Sequence, residues 1–356
     1  MNKVKDKNLR INNLDNPQSQ SIVDRFGRTF NYLRLAVNEM CNLRCIYCMP
    51  EEKFHSGFNF LKSTERLSFE EIFRVTKIFS DLGISKVRIT GGEPLLRVNL
   101  SELIGDLSTL DKIEDIALTT NGVLLKKYSE ELKACGLNRI TVSLDSIDPA
   151  QFMQMTGGRG NLETVLEGIN AALSVGFKQV KINAVIKRGT NDDQVIEMVD
   201  YFKDQSVIIR FIEYMDVGNL NEWKLKETVG SDEIIAKLSE RWTLNPLDGN
   251  YVGETAERFL IEESETEIGL ISSVTKPFCG SCTRARLSSD GKLYNCLFAS
   301  EGKDIRSWIR NGKSDDFISD EIASIWKKRQ DRYSELRYSG KSDKTNEKVE
   351  MYYIGG

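Results

Sequence analysis

Six of the seven cysteines stand in two trios, and their spacing is the strongest chemical signal in the chain. The first is Cys41-x3-Cys45-x2-Cys48, and the second, about 230 residues on, is Cys279-x2-Cys282-x13-Cys296. Three thiolates on a short loop can hold three irons of a [4Fe–4S] cube. The fourth iron is then open to a small ligand that chelates through nitrogen and oxygen, an opening that a purely electron-carrying cluster with four cysteines does not need. Structural zinc is the competing reading, but tetrahedral zinc takes four Cys/His ligands. Each trio supplies three, and the single histidine, His55, cannot complete both. A joint four-ligand site would strand two thiols. An odd cysteine count in a chain read as cytosolic also argues against a disulfide framework. Cys135, at a helix end in Leu132-Lys133-Ala134-Cys135-Gly136, reads as a buried small residue.

The second signal is cationic. Gly312-Lys313-Ser314 and Gly340-Lys341-Ser342 have Ser307 and Glu335 where a P-loop needs its earlier glycine, and no GxGxxG follows a strand. A phosphate must then be gripped by side chains, for which the arginine fork is suited. The candidates are Arg34, Lys86, Arg88, Lys181, Arg210, Arg284 and Arg286. The first five lie in or beside apolar strand runs, where an inward charge is costly unless an anion meets it. Any one of them, taken alone, reads equally well as pointing out of the pleat. Five on several strands of one lumen favour a binding site.

The elements that must carry these groups alternate. Strand-like runs are 33–37, 86–90, 113–118, 139–144, 180–186 and 207–212, with helical stretches between. The clearest helix runs from Ser68 to Leu82. It has Phe69, Ile72, Phe73, Phe79 and Leu82 on one face, a Ser68/Glu71 capping box, and Gly83 as its C′ residue. Six strand–helix units predict parallel strands with right-handed crossovers, two units short of a closed eightfold barrel. Strand patterns alone do not decide barrel against open sheet. The first cysteine loop, Gly91-Gly92-Glu93-Pro94, Thr119-Thr120-Asn121-Gly122, Ser143-Leu144-Asp145-Ser146 and Glu213-Tyr214-Met215 all fall near carboxyl ends of strands, the face where parallel α/β folds keep their sites.

Three regions result: a mobile leader over 1–25, a partial barrel over 26–239, and a C-terminal region over 240–356 where turn residues such as Asp248-Gly249-Asn250 replace the rhythm. The charged stretch from Lys327 to Lys348 reads as a solvated face. With 40% apolar and 29% charged residues the chain can bury a core without staples. A formal net charge of −4 argues against a nucleic-acid partner. The polar start carries no apolar signal segment, and no apolar run is long enough to span a membrane, so a cytoplasmic location is expected.

The Cys-x3-Cys-x2-Cys spacing with Tyr47 before the third cysteine, followed one strand–helix unit later by Gly91-Gly92-Glu93-Pro94, resembles the radical S-adenosylmethionine (SAM) superfamily. The stretch Ser273 to Leu287 around Cys279-Gly280-Ser281-Cys282-Thr283-Arg284-Ala285-Arg286 narrows the resemblance to the GTP 3′,8-cyclase family of molybdenum-cofactor biosynthesis. So do Asp290-Gly291-Lys292-Leu293 before Cys296-Leu297-Phe298, Phe211 to Asp216, and the terminal Gly355-Gly356. The similarity runs from about Phe26 to the last residue. Asn38-Glu39-Met40 departs from it, standing where many members carry a Thr-Asp-Arg-like run.

That resemblance implies an incomplete (βα)6 parallel barrel of radical SAM type, followed by a C-terminal region carrying a second cluster. It implies two [4Fe–4S] clusters, on Cys41, Cys45 and Cys48 and on Cys279, Cys282 and Cys296, with SAM on the first. Tyr47, Gly92, Ser143 and Met215 would contact SAM, with Asn183 a further contact. Arg34, Arg88, Thr119, Lys181, Arg284, Ala285 and Arg286 would contact GTP. Arg284, Arg286, Gly355 and Gly356 would take part in catalysis, the tail entering the active site. The implied activity is radical cyclisation of GTP, with an external electron donor and a homodimeric state. A peptide-modifying radical SAM enzyme with an auxiliary cluster is the alternative. It needs no phosphate-binding arginines.

Overall fold

β-branched and aliphatic runs that are buried on both faces favour parallel strands covered by helices. In the computed structural model, which describes residues 21–178, 180–337 and 347–356, the six runs become β1 (Tyr32–Ala36), β2 (Lys86–Thr90), β3 (Asp115–Thr120), β4 (Arg139–Ser143), β5 (Val180–Ile186) and β6 (Val207–Glu213). They are parallel neighbours in chain order. β3 lies two residues further on than its apolar run, because Thr119 and Thr120 hold strand geometry through side-chain partners on neighbouring elements. Of the expected leader, 1–20 lie outside the described residues, as do Gly340-Lys341-Ser342 and the rest of 338–346 in the charged stretch.

The chain after 239 joins the same sheet at both ends. It adds β7 (Leu244–Leu247), β8 (Glu257–Ile261), β9 (Glu267–Ile271), β10 (Arg284–Leu287), β11 (Lys292–Tyr294) and β12 (Lys303–Asp304). The order is β12-β11-β10-β1-β2-β3-β4-β5-β6-β9-β8-β7. β10 pairs parallel with β1, and β9 pairs parallel with β6. The parallel block therefore has the eight members of a full barrel, with β9 and β10 as its ends. Those two do not pair, since their outer edges are taken by the antiparallel strands β8 and β11. Residues 272–283 run from one end of the block to the other and carry Cys279 and Cys282.

Alternation along the strands sorts core from lumen. Leu33, Leu35, Val87, Ile89, Ile140, Val142 and Ile182 belong to the hydrophobic core. The residues between them face the other way. Helix Phe69–Asp81 caps as its sequence requires: Ser68 Oγ accepts from Glu71 N at 3.2 Å, and Glu71 Oε2 accepts from Ser68 N at 2.8 Å.

Candidate active site

The register brings the lumen-facing cations into rows. Arg286, Arg34 and Arg88 are direct cross-strand partners on β10, β1 and β2. Arg284 pairs with Tyr32 in the row beside them. On the far wall Ser143, Asn183 and Arg210 form another row across β4, β5 and β6. Hydrogen bonds then cross the lumen. Arg88 donates to Tyr32 Oη (2.6 Å), Thr119 Oγ1 (3.0 Å) and Thr141 Oγ1 (2.9 Å). Arg210 reaches the same Thr141 hydroxyl at 3.4 Å, so the sheet curls enough for β2 and β6 to share a partner on β4.

Among the described residues, no carboxylate lies within 4.0 Å of Arg34, Arg88, Arg210, Arg284 or Arg286, although ion pairs are common elsewhere in the molecule. Burial lowers Arg34 to about 10, helped by the guanidiniums of Arg88 and Arg284. Burial and Arg88 lower Arg210 to about 10, and burial with Arg34 and Arg284 takes Arg286 well down. The Nε atoms of Arg34 and Arg210 and the Oδ1 atoms of Asn183 and Asn295 are buried without a hydrogen-bond partner among the described residues, and all four residues line one cavity. Crowded, desolvated cations with orphaned donors fit a polyanionic ligand.

The first cysteine trio follows β1. Burial raises the Cys41 thiol to about 11, and Glu93 adds to it. Burial also raises Cys45 and Cys48, and there the sulfurs of the trio oppose one another's ionisation. Mutually repelling buried thiolates are what a cationic cluster relieves. Among the described residues no three His, Cys, Asp or Glu side chains converge tightly enough for a single ion. A cubane asks for less convergence, because each thiolate binds a different iron.

The turn Gly91-Gly92-Glu93-Pro94 supports this loop from below. A Cβ on Gly91 would meet Asn38 O at 2.2 Å, and one on Gly92 would meet Met40 O at 2.3 Å. Gly92 N donates to Asn38 O (3.0 Å) and Glu93 N to Met40 O (2.7 Å). The glycines therefore let two backbones touch. Glu93 is fully buried and accepts from Thr120 Oγ1, Asn121 N and Leu95 N at 2.7–3.0 Å. Its burial lifts it to about 7. Tyr47 donates to Asp145 Oδ2 at 2.9 Å, and Asp145 Oδ1 accepts from Val185 N at 2.8 Å, which ties the loop to the ends of β4 and β5. Glu39, in the departure from the family pattern, accepts from Ser289 Oγ at 3.0 Å and from Leu61 N.

The second trio lines the cavity itself. Arg284 Nε and Arg329 Nη2 each donate to Cys282 Sγ at 3.3 Å. Burial pushes that thiol up, but the two guanidiniums outweigh it and bring it down to about 6. Burial raises Cys296 to about 12. Arg28, itself buried, donates to Cys279 O at 2.9 Å. Upstream, Glu213 at the end of β6 is wholly buried and accepts from Val274 N (2.7 Å), Thr275 N (2.8 Å) and Ser231 N (2.8 Å).

The tail reaches the same chamber. Gly355 O accepts from Arg34 Nη1 at 3.3 Å and from Arg286 Nη1. Lys348 Nζ pairs with Asp216 Oδ2 at 2.9 Å, Val349 N donates to Ala299 O at 2.9 Å, and Tyr352 packs edge-on against Phe54. These hold the segment down over its length.

Of the residues singled out from the sequence, Arg34, Tyr47, Arg88, Thr119, Ser143 and Met215 line the cavity. So do Cys279, Cys282, Arg284, Arg286, Cys296 and Gly356. Cys41, Cys45, Cys48, Gly92 and Lys181 are not part of its lining, though Tyr47 of the first loop is. Lys181 lies beside Arg139 and Arg210, and its burial brings it down to about 8. Ala285 points away from the lumen into the hydrophobic core, so only its backbone faces the arginines on either side. The sequence reading missed Tyr32, Thr141 and Arg329. Arg329 corrects the view of the charged stretch as a solvated face: its side chain is 1% exposed, held by Asp331 and Cys282.

Residues 36–202 match the Radical SAM superfamily, and residues 207–335 match Molybdenum Cofactor Synthesis C. The GTP 3′,8-cyclase of Staphylococcus epidermidis is 47% identical over 337 residues, 94% of this chain and 99% of that protein. The GTP 3′,8-cyclase of Staphylococcus saprophyticus is 45% identical over 339 residues, 95% of this chain and 99% of that one. Among solved structures, Streptococcus suis SuiB bound to S-adenosylmethionine superposes with a TM-score of 0.60 over 87% of this chain and 69% of that chain. At 17% identity that likeness speaks for the fold alone. No helix among the described residues is long and apolar enough to cross a membrane.

Proposed function

The chain belongs to the GTP 3′,8-cyclase family of radical SAM enzymes, and on that premise we propose how its chamber divides the work between SAM and GTP. Its reaction is the radical cyclisation of GTP to (8S)-3′,8-cyclo-7,8-dihydroguanosine 5′-triphosphate, the first step of molybdenum-cofactor biosynthesis. A [4Fe–4S] cluster with SAM supplies the carbon-centred radical chemistry, fed by an external electron donor.

The observation that carries the division of labour is the set of lumen arginines with no carboxylate partner. Arg34 and Arg286, adjacent in register, form the centre of a triphosphate clamp. Arg88 is fixed on one side by Tyr32, Thr119 and Thr141 and extends the clamp along β2. Lys181 adds charge from the lower lumen. Cys41, Cys45 and Cys48 would hold the first cluster. Tyr47, Ser143, Asn183 and Met215 flank the SAM side of the chamber, and Gly92 supports it through the chain at 38–40. Cys279, Cys282 and Cys296 would hold a second cluster, whose iron without a cysteine would offer a ligand position to the purine, and the buried Asn295 Oδ1 that lines the same cavity would accept from the base. The tail and the segment 272–283 close the chamber, and a radical needs a dry wall around it.

Replacing Arg34 or Arg286 by Ala should weaken GTP binding by about ten- to a hundredfold, since a charge-assisted hydrogen bond contributes roughly 1.5–3 kcal/mol. Guanosine binding should change little. Equilibrium binding to the anaerobic protein checks this, and GTP affinity unchanged in both variants would remove the clamp.

A further inference from the structure

The two cysteine trios differ in what their sulfurs receive from the protein. In the first, among the described residues, Cys41 Sγ accepts only from neutral donors, Leu43 N at 3.4 Å and Asn121 Nδ2 at 3.7 Å. In the second, Cys282 Sγ accepts from two guanidiniums at 3.3 Å, and Cys296 Sγ accepts from Phe298 N at 3.5 Å. Arg284 belongs to the motif that follows the cysteines. Arg329 does not: it arrives from 47 residues further along the chain and is the better held of the two. Asp331 grips it twice (Nε to Oδ1 at 2.8 Å, Nη2 to Oδ2 at 3.0 Å), and it donates to Cys282 O at 2.7 Å. Arg28, whose guanidinium donates to Asp331 O at 2.8 Å, locks that arrangement to the backbone of Cys279.

From this asymmetry we infer that Arg329 is a positioning residue for the second cluster, one that raises the cluster's reduction potential above that of the first by donating a charged N–H to Cys282 Sγ. The inference rests on the reading that the second trio holds a cluster. Its physical basis is general. A hydrogen bond to a ligand sulfur withdraws electron density and favours the reduced, more negative cluster. Because little solvent screens it, a buried guanidinium adds its positive charge to that effect, offset in part by the Asp331 carboxylate that pairs with it. The Asp331 carboxylate fixes the fork but lies on the far side of it from the sulfur's donor atoms only in part, since Nη2 is shared between the two. Removing the fork therefore removes a net donor to sulfur and not a neutral pair. The two clusters would then have separate tasks by potential: a low one where SAM must be reduced, a higher one where the purine is held.

The test uses the full-length holoenzyme, prepared anaerobically, as wild type, Arg329→Gln and Arg329→Lys. Iron and sulfide are counted first. A wild type with iron for a single cluster would end the underlying reading before any variant is compared. With two clusters present, potential-poised electron paramagnetic resonance follows each, the first being the signal that SAM perturbs. The expected result is a shift of the second cluster to lower potential in Arg329→Gln, a smaller shift in Arg329→Lys, and no shift of the first. An unmoved second potential at full iron content would overturn the inference. Loss of the second cluster's iron in both variants would overturn it too, by giving Arg329 a purely scaffolding task.

Discussion

Removing Gly355 and Gly356 should abolish cyclised product while iron content and SAM cleavage persist. The tail is fastened upstream by Lys348 on Asp216, Val349 on Ala299 and Tyr352 on Phe54, so its last two residues can go without releasing the rest. What is lost is the Gly355 carbonyl, which sits against Arg34 and Arg286 in the middle of the arginine row. Displacing a positioned group by about 1 Å can lower a rate by about a hundredfold. Gly355→Ala is the milder form of the same experiment. The residue has φ +68°, and an added Cβ would meet Thr90 Cγ2 at 2.2 Å, so alanine must shift the carbonyl. Methionine release and cyclised product, measured side by side, should separate in both variants. Product formed at the wild-type rate would show that the tail only fills space.

The other large effect is expected at Glu213, which makes no contact with the chamber. Its carboxylate satisfies three backbone N–H groups and the hydroxyls of Ser231 and Thr275, with no exposure to solvent. Glu213→Ala strands those donors in the interior, where each costs about 1–3 kcal/mol. We expect a destabilisation of about 3–5 kcal/mol in urea unfolding of the anaerobic protein, the sum of a few buried donors left unpaired. Val274 and Thr275 lead directly into the second trio, so the variant should also lose iron there while the first cluster remains. A variant with wild-type stability and full iron would refute this anchoring role.

The sequence disclosed the groups better than the contacts between them. Thiol spacing along the chain is a local property, and both trios could be read from it. The arginines betrayed themselves by standing in apolar strands, where desolvation would otherwise forbid them. The partners of those arginines were not legible. Thr141 and Tyr32 are ordinary strand residues, and their use depends on how far the sheet curls, which no local pattern records. Arg329 was hidden among exposed neighbours such as Lys327 and Lys328, because a charged run looks the same whether or not one member turns inward. A side chain at Gly92 would collide with the backbone at Met40, a contact between segments distant in sequence that no local pattern records. Where the ends of the parallel block go was also beyond reach: β9 and β10 return to the sheet from a region with no strand–helix rhythm.

With β8 and β11 occupying the outer edges of β9 and β10, the cylinder can never anneal along a final ladder. Access from the side therefore need not break a single interstrand hydrogen bond. The same hairpins blunt edges that would otherwise invite pairing with another chain.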